Sequence, residues 1–280
     1  MNKQKYMHVL GIFSFLLMQE AQSYHFRIVV PSYNNEKYAR RNLESLINQK
    51  VDYPFSVIVV NDCSQDKTGE ILENVKREHN LSDEFLTIVH NKKRMGALAN
   101  IYNTIHKRCD YDDIIVLVDG DDALAHSRVL QRVSQEYQDP EIMMTYGQFV
   151  FYPSGDWGTT YEIPREDLEN KAVRTLTYVA QHLRTFKRDV FIRIKKEDLL
   201  RNGDFFPMNA DMATMIPMLE MAAPVIPGGK IRSRFIPDIL LIYNYDNPLN
   251  DHTINRSLQL ELEQVIRSIN PYEPIKRVRS

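Results

Sequence analysis

Residues 114–122 read IIVLVDGDD. Five apolar, mostly β-branched positions in a row predict a strand covered on both faces, as in a parallel sheet. The run ends in three carboxylates around a glycine. Asp119 and Asp121 stand two apart, so an extended chain carries both side chains to one side. Gly120, lacking a Cβ, permits a sharp bend or a close ligand there. Three like charges so close repel one another. A hard divalent cation relieves that repulsion, because it takes carboxylate oxygens and shares them with a diphosphate. In open α/β sheets ligands bind beyond the carboxyl ends of the strands, where this cluster falls. Asp-Gly-Asp is also ordinary turn chemistry, so the flanking segments must decide.

Upstream, residues 26–32 (FRIVVPS) form a first predicted strand, with Pro31 near its end. Asn34 and Asn35 suit a helix N-cap, and Tyr38, Asn42, Leu43, Leu46 and Ile47 recur at helical spacing. Residues 55–60 (FSVIVV) form a second strand, broken by Asn61-Asp62-Cys63-Ser64. Thr68, Ile71, Leu72 and Val75 share the face of a second helix, with Asp66 as its cap. A short strand over 86–89 follows. Gly96 then opens a helix with Leu98, Ile101, Tyr102 and Ile105 inward. The pattern is βαβαβαβ, which predicts an α/β fold with a parallel sheet and right-handed crossovers. Tyr33, Asp62, Asn91, Arg94 and Asp119–Asp122 all follow strands and should converge on one rim. That convergence favours a ligand site over a simple turn.

Beyond Asp122 the alternation fades. Residues 129–133 suit a helix and 143–152 a long strand containing Gly147. Residues 154–158 form a loop bearing Trp157, the only tryptophan. Helices are expected over 176–185, which includes His182 and Arg184, and over 195–201. A Met-rich helix interrupted by Pro217 covers 210–222. A strand covers 236–243, and a polar loop leads to a charged helix over 253–269. No linker rich in Gly, Ser or Pro divides the chain. The expected organisation is one continuous domain, with an α/β half over 24–125, a second half over 126–246 and a C-terminal loop and helix over 247–280. At 280 residues and a net charge of −2, the chain can bury a large core and is not a general nucleic-acid binder. Cys63 and Cys109 give neither a disulfide framework nor a zinc spacing. Lys3 and Lys5 precede an apolar run over 9–18 and then Gln-Glu-Ala-Gln-Ser. Residues 1–23 are therefore expected to be a secretory signal peptide, directing the chain to the secretory pathway or export. The alternative is a membrane association facing the cytosol.

The segments VVPSYNNEKYARRNLESLINQ, VIVVNDCSQDKTGEIL, Asn91/Gly96/Asn100 and VLVDGDD occur in the order and spacing of the family 2 glycosyltransferases, which residues 26–124 resemble. The resemblance implies a GT-A fold: a Rossmann-like, mostly parallel sheet flanked by helices, continuous with an acceptor-binding half. It implies a nucleotide-sugar donor, a uracil-type base accepted by Asp62, and an inverting transfer to a hydroxyl of a glycan, lipid or protein acceptor. Pro31, Tyr33, Arg94 and Asp119 fall at donor-binding positions. Asp121 and Asp122 match the carboxylates for a Mn²⁺ or Mg²⁺ ion. Asp211, opening an apolar helix, matches the general base, with Glu220 as the alternative. Arg184 or His182 could meet the diphosphate, and His252 is a further polar group near it.

Two other readings compete. A nucleotidyltransferase making nucleotide sugars shares the core and metal, but it needs a glycine-rich basic loop after the first strand. Residues 31–35, PSYNN, lack both features. A non-catalytic carbohydrate-binding protein on the same fold is the third, since fold alone does not decide chemistry.

Overall fold

A computed structural model describes residues 24–276. The expected signal segment, residues 1–23, lies outside the described residues, as does the side chain of His252. The N-terminal part runs β1 (His25–Ser32), α1 (Ala39–Ile47), β2 (Phe55–Asn61), α2 (Thr68–Glu78), β3 (Leu86–His90), α3 (Ala97–Arg108) and β4 (Asp113–Leu117). β1 lies between β2 and β4, parallel to both, and β3 adds parallel to β2. The strand period of two sorts the apolar runs onto two faces. Ile28, Val30, Val57, Val59, Ile114 and Val116 pack with Leu43, Leu46, Leu72 and Val75 of α1 and α2. Val29, Ile58, Ile115 and Leu117 face the other way, onto Leu98, Ile101 and Ile105 of α3. Each such side chain contributes about 1.5–3 kcal/mol on burial, which explains why these strands carry no polar alternation.

The chain continues through β5 (Ala123–Leu124), α4 (Val129–Glu136), β6 (Met144–Tyr152), α5 (Arg165–Glu169), β7 (Arg184–Lys187), α6 (Arg188–Phe191), β8 (Leu200–Arg201), β9 (Asp204–Phe205), α7 (Ala210–Ala222), β10 (Ser233–Asn244), α8 (Asp251–Ile254) and α9 (Arg256–Ser268). The main sheet has the order β3-β2-β1-β4-β7-β6-β10-β5. β7 is antiparallel to both neighbours and joins the two parts into one sheet. Among the described residues no helix is long and apolar enough to cross a membrane.

Several local expectations are corrected. Residues 176–185 are not helical; a 3-10 turn at Ala172–Arg174 precedes β7. Tertiary pairing overrides the local pattern there: the Thr185 hydroxyl lies 2.8 Å from that of Tyr137 and 2.6 Å from that of Thr145, inside the sheet. Residues 195–201 form a 3-10 turn (Lys196–Leu199) and then β8. Neither Asn34 nor Asn35 caps α1 by its side chain. Asn35 instead supplies its carbonyl to the N–H groups of Tyr38 and Ala39, and its amide donates to Ser32 Oγ. Asp66 does cap α2 locally, accepting the Thr68 N–H at 2.9 Å. β4 stops at Leu117, and the Asp122 N–H turns back to the Asp119 carbonyl at 3.1 Å. Asp119 and Asp121 are therefore on a turn, not on extended chain.

Candidate active site

That turn is seated on the end of β1. The Gly120 N–H donates to the Pro31 carbonyl at 3.1 Å. A Cβ on Gly120 would lie 2.5–2.7 Å from atoms of Ser32 and Asn35, so only glycine permits this approach. From α1, the Asn42 amide donates to the carbonyls of Asp119 and Asp122, both at 2.9 Å. Arg41 donates to the Asp121 carbonyl at 3.3 Å.

Each carboxylate then meets a different element. Asp119 Oδ2 accepts from Arg184 of β7 at 2.8 Å. Asp121 Oδ2 accepts from the Asn247 amide at 2.6 Å. Asp122 Oδ1 accepts the Asn244 N–H at 2.8 Å, while its Oδ2 is buried without a partner. Burial, opposed by the Asn247 bond and reinforced by Asp119, pushes Asp121 up to about 6. Burial and the charges of Asp121 and Asp119 raise Asp122 well above the usual carboxylate range. Such a set of acids, one with a bare buried oxygen, is what a hard cation would relieve. Asp119, Asp122 and His182 offer ligand atoms within 4.8 Å of one another. Of the two carboxylates that the sequence matched to a cation, Asp122 belongs to this group, and Asp121 lies beside it with Oδ2 bonded to Asn247.

A cleft of about 680 Å³ opens over this turn. Pro31, Tyr33, Asp62, Arg94, Asp119, Asp121 and Asp211 all line it, together with His182 and Arg184; Asp122 lies behind the wall. The Arg94 guanidinium stacks over the Tyr33 ring at 3.9 Å. Asp62 is buried and organises the opposite lip. It accepts from the Asn91 amide at 2.7 Å, the Met95 N–H at 2.9 Å and the Gly96 N–H at 2.8 Å. Burial alone would raise its pKa, but these bonds, with one from Asn100, hold it below the usual range. A carboxylate kept ionised in this way is an acceptor facing the cleft.

Arg184 also donates to His182 Nδ1 at 3.3 Å. Burial, then the Arg184 charge, lowers His182 to about 3, so the ring is neutral. It stacks on Tyr243 with centroids 5.2 Å apart. His182 is not on a helix, so its proximity to the aspartates was not readable from helical spacing.

Asp211, which also lines the cleft, is the second residue of α7. Burial raises its pKa, Arg184 pulls it down and Asp119 raises it. The helix N-terminus favours its charged form. Glu220 is separated from this site. It is buried at the far end of α7, paired with Arg174 at 2.7 and 2.9 Å, and accepts the Tyr272 N–H at 3.0 Å. Asp251, not singled out from sequence, also lines the cleft. It accepts the Asn209 N–H at 3.0 Å, and burial pushes it up to about 6. The polar loop ahead of the C-terminal helix supplies part of this wall, but the sequence did not show that Asn247 reaches Asp121.

Comparison with known proteins adds to this geometry. The poly(ribitol-phosphate) β-N-acetylglucosaminyltransferase TarS of Staphylococcus aureus is 35% identical over 100 residues, 35% of this chain and 16% of TarS. The solved structure of TarS 1–349 in complex with UDP-GlcNAc superposes with a TM-score of 0.57 at 19% identity, over 86% of this chain and 65% of that one. The mannosyltransferase PcManGT of Pyrobaculum calidifontis, solved with GDP-Man and Mn²⁺, gives 0.51 at 20% identity, over 78% and 56%. The chain thus spans only part of the relatives it matches, and the structural likenesses establish the GT-A fold. The glycosyl transferase family 2 model matches residues 27–195, and the chain belongs to that family.

Proposed function

We propose that this glycosyltransferase moves a sugar from a UDP-linked donor to an acceptor hydroxyl with inversion, assisted by a divalent cation. The observation that carries the reading is the meeting of Asp62, Asp119, Asp121 and Asp211 around one cleft, although they come from three separate parts of the chain. The base and ribose would lie between Tyr33, Asp62 and Asp119, and Arg94 and Arg184, which line the cleft, would meet the diphosphate. Asp121 and Asp122, with Asp119 and His182 beside them, would hold the cation, and the bare Asp122 oxygen supports that fit. When bound, a divalent ion offsets negative charge on a departing diphosphate. Arg184 adds a fixed positive charge from the protein itself.

Asp211 lines the same cleft. Its role would be to accept the acceptor's proton as the hydroxyl oxygen attacks the anomeric carbon. A single displacement with one base inverts the configuration and needs no covalent nucleophile. The donors bound by TarS and PcManGT support a nucleotide sugar, and TarS favours UDP over GDP as the first donor to test.

The test is a panel of UDP- and GDP-sugars with Mn²⁺, Mg²⁺ or chelator, read by release of nucleoside diphosphate and by thermal shift. One UDP-sugar should respond, with metal. Asp211→Asn should lower turnover by about 10²–10⁴-fold while leaving donor binding intact. Full turnover in chelator, or unchanged turnover in Asp211→Asn, would refute the scheme.

A further inference from the structure

Trp157 is 64% exposed, yet its backbone is tied to the sheet. It pairs antiparallel with Val150 of β6. On either side, the Phe151 N–H donates to the Asp156 carbonyl and the Gly158 N–H to the Phe149 carbonyl, both at 2.8 Å. Gly158 lies flush on the Phe149 ring, where a Cβ would stand 2.4 Å from it. The backbone thus presents the largest of side chains to water instead of burying it, although burial of aromatic surface is among the larger gains available. Large exposed apolar surface of this kind marks interaction sites.

Cross-strand partners share a face, and so do residues two apart on a strand. Trp157, Val150 and Tyr152 therefore lie on one side of β6. Tyr152 is 45% exposed, and the Arg41 guanidinium sits 4.7 Å from its ring centroid. Arg41 is the same residue that donates to the Asp121 carbonyl. On the reverse face, Phe149 and Phe151 both pack against Tyr243 of the cleft wall. The aromatic surface is thus joined to the cleft through both faces of β6.

We propose that Trp157 and Tyr152 form a stacking platform for the acceptor, and that the acceptor is a carbohydrate chain whose ring C–H faces lie on these aromatic rings. The electron-rich face of an aromatic ring complements such C–H groups. A sugar polymer lying on the platform would lead its end into the cleft. Aromatic side chains also sit at membrane surfaces, but those surfaces are anionic and call for lysine and arginine. Residues 153–160 carry Asp156 as their single charge and no basic residue, and Arg41, the cation beside Tyr152, is engaged by that ring and the Asp121 carbonyl, which favours a neutral glycan. The identification of the bound chain as an acceptor rests on the transferase reading above.

Because Trp157 is the chain's single tryptophan, its fluorescence reports on the platform directly. The full chain is titrated with cellohexaose, maltohexaose and chitohexaose, and separately with vesicles of phosphatidylcholine and phosphatidylglycerol. A saturable blue shift or quench with at least one oligosaccharide is expected. Tyr152→Ala should weaken it by about tenfold. By calorimetry, Trp157→Ala should lose binding of the same oligosaccharide, while the thermal shift given by nucleotide sugar stays unchanged in both variants. No response to any oligosaccharide, a response to vesicles alone, or undiminished oligosaccharide binding in Trp157→Ala overturns the proposal. Oligosaccharide binding without any nucleotide-sugar response would keep the platform and remove the transferase reading; the reverse pattern would remove the platform alone.

Discussion

Asp121→Asn should make the metal-free protein more stable at neutral pH. The folded protein holds the Asp121 proton up to about pH 6, against an ordinary value of 3.8. A raised carboxyl pKa means that the folded state binds the proton more tightly than the unfolded one. Ionisation therefore opposes folding above pH 6, and the penalty disappears as pH falls below 4. A shift of about two pH units corresponds to about 3 kcal/mol. Asparagine keeps an oxygen to accept from Asn247, whose bond at 2.6 Å need not be lost, and it carries no charge near Asp119 and Asp122. For a chain of this size the gain is roughly 5–10 °C in Tm. The assay is thermal and urea unfolding of both proteins in chelator. The gap in stability should be full near about pH 7.5 and roughly halved near about pH 5, as linkage requires. Equal stability at the higher pH, or a gap that widens on acidification, would show that Asp121 is not the strained carboxylate described.

Glu220→Ala should cost about 3–5 kcal/mol in urea unfolding, because it strands the buried Arg174 charge, whereas replacing both residues by methionine should recover most of that loss. Gly120→Ala should cost about 1–3 kcal/mol by overpacking against Ser32 and Asn35, and donor binding followed by calorimetry should weaken with it. Asp62→Asn should cost about 1.5–3 kcal/mol through the loss of charge-assisted bonds to the lip over 91–96. The Asp62 carboxyl lies below its ordinary pKa, so its stabilisation is present above about pH 4 and fades as pH falls further; the wild-type and Asp62→Asn curves should converge in acid.

The parallel half of the fold was legible because its strands are buried on both faces and its helices keep a clean apolar stripe. Asp62, Asp119 and Asp121 were legible for the same reason: each lies just beyond a strand of that sheet, so its position in the cleft follows from topology, whereas Asp211 was picked out by the family resemblance. The segment from 176 to 185 was misread because its apolar residues match a helix locally. Its true partners, Tyr137 and Thr145, are distant in sequence. Asn247 and Arg41 were missed as site residues for a related reason. One comes from a loop and one from an outward turn of α1, and nothing in their neighbours announces a partner some eighty or more residues away. Trp157 was visible as a singular residue, but only the backbone pairing with Val150 reveals that it is held outward.

The insertion of β7 between β4 and β6 has a consequence for how the polypeptide is made. Arg184 follows Asp119 by 65 residues, so a nascent chain leaving the ribosome exposes a bare β4 edge until that later segment emerges. Expression fragments ending near residue 125 would keep this edge uncovered and should aggregate through it, even though they contain the whole parallel half. The useful minimum for recombinant work extends at least through β10, which also delivers the Asn244 N–H that donates to Asp122.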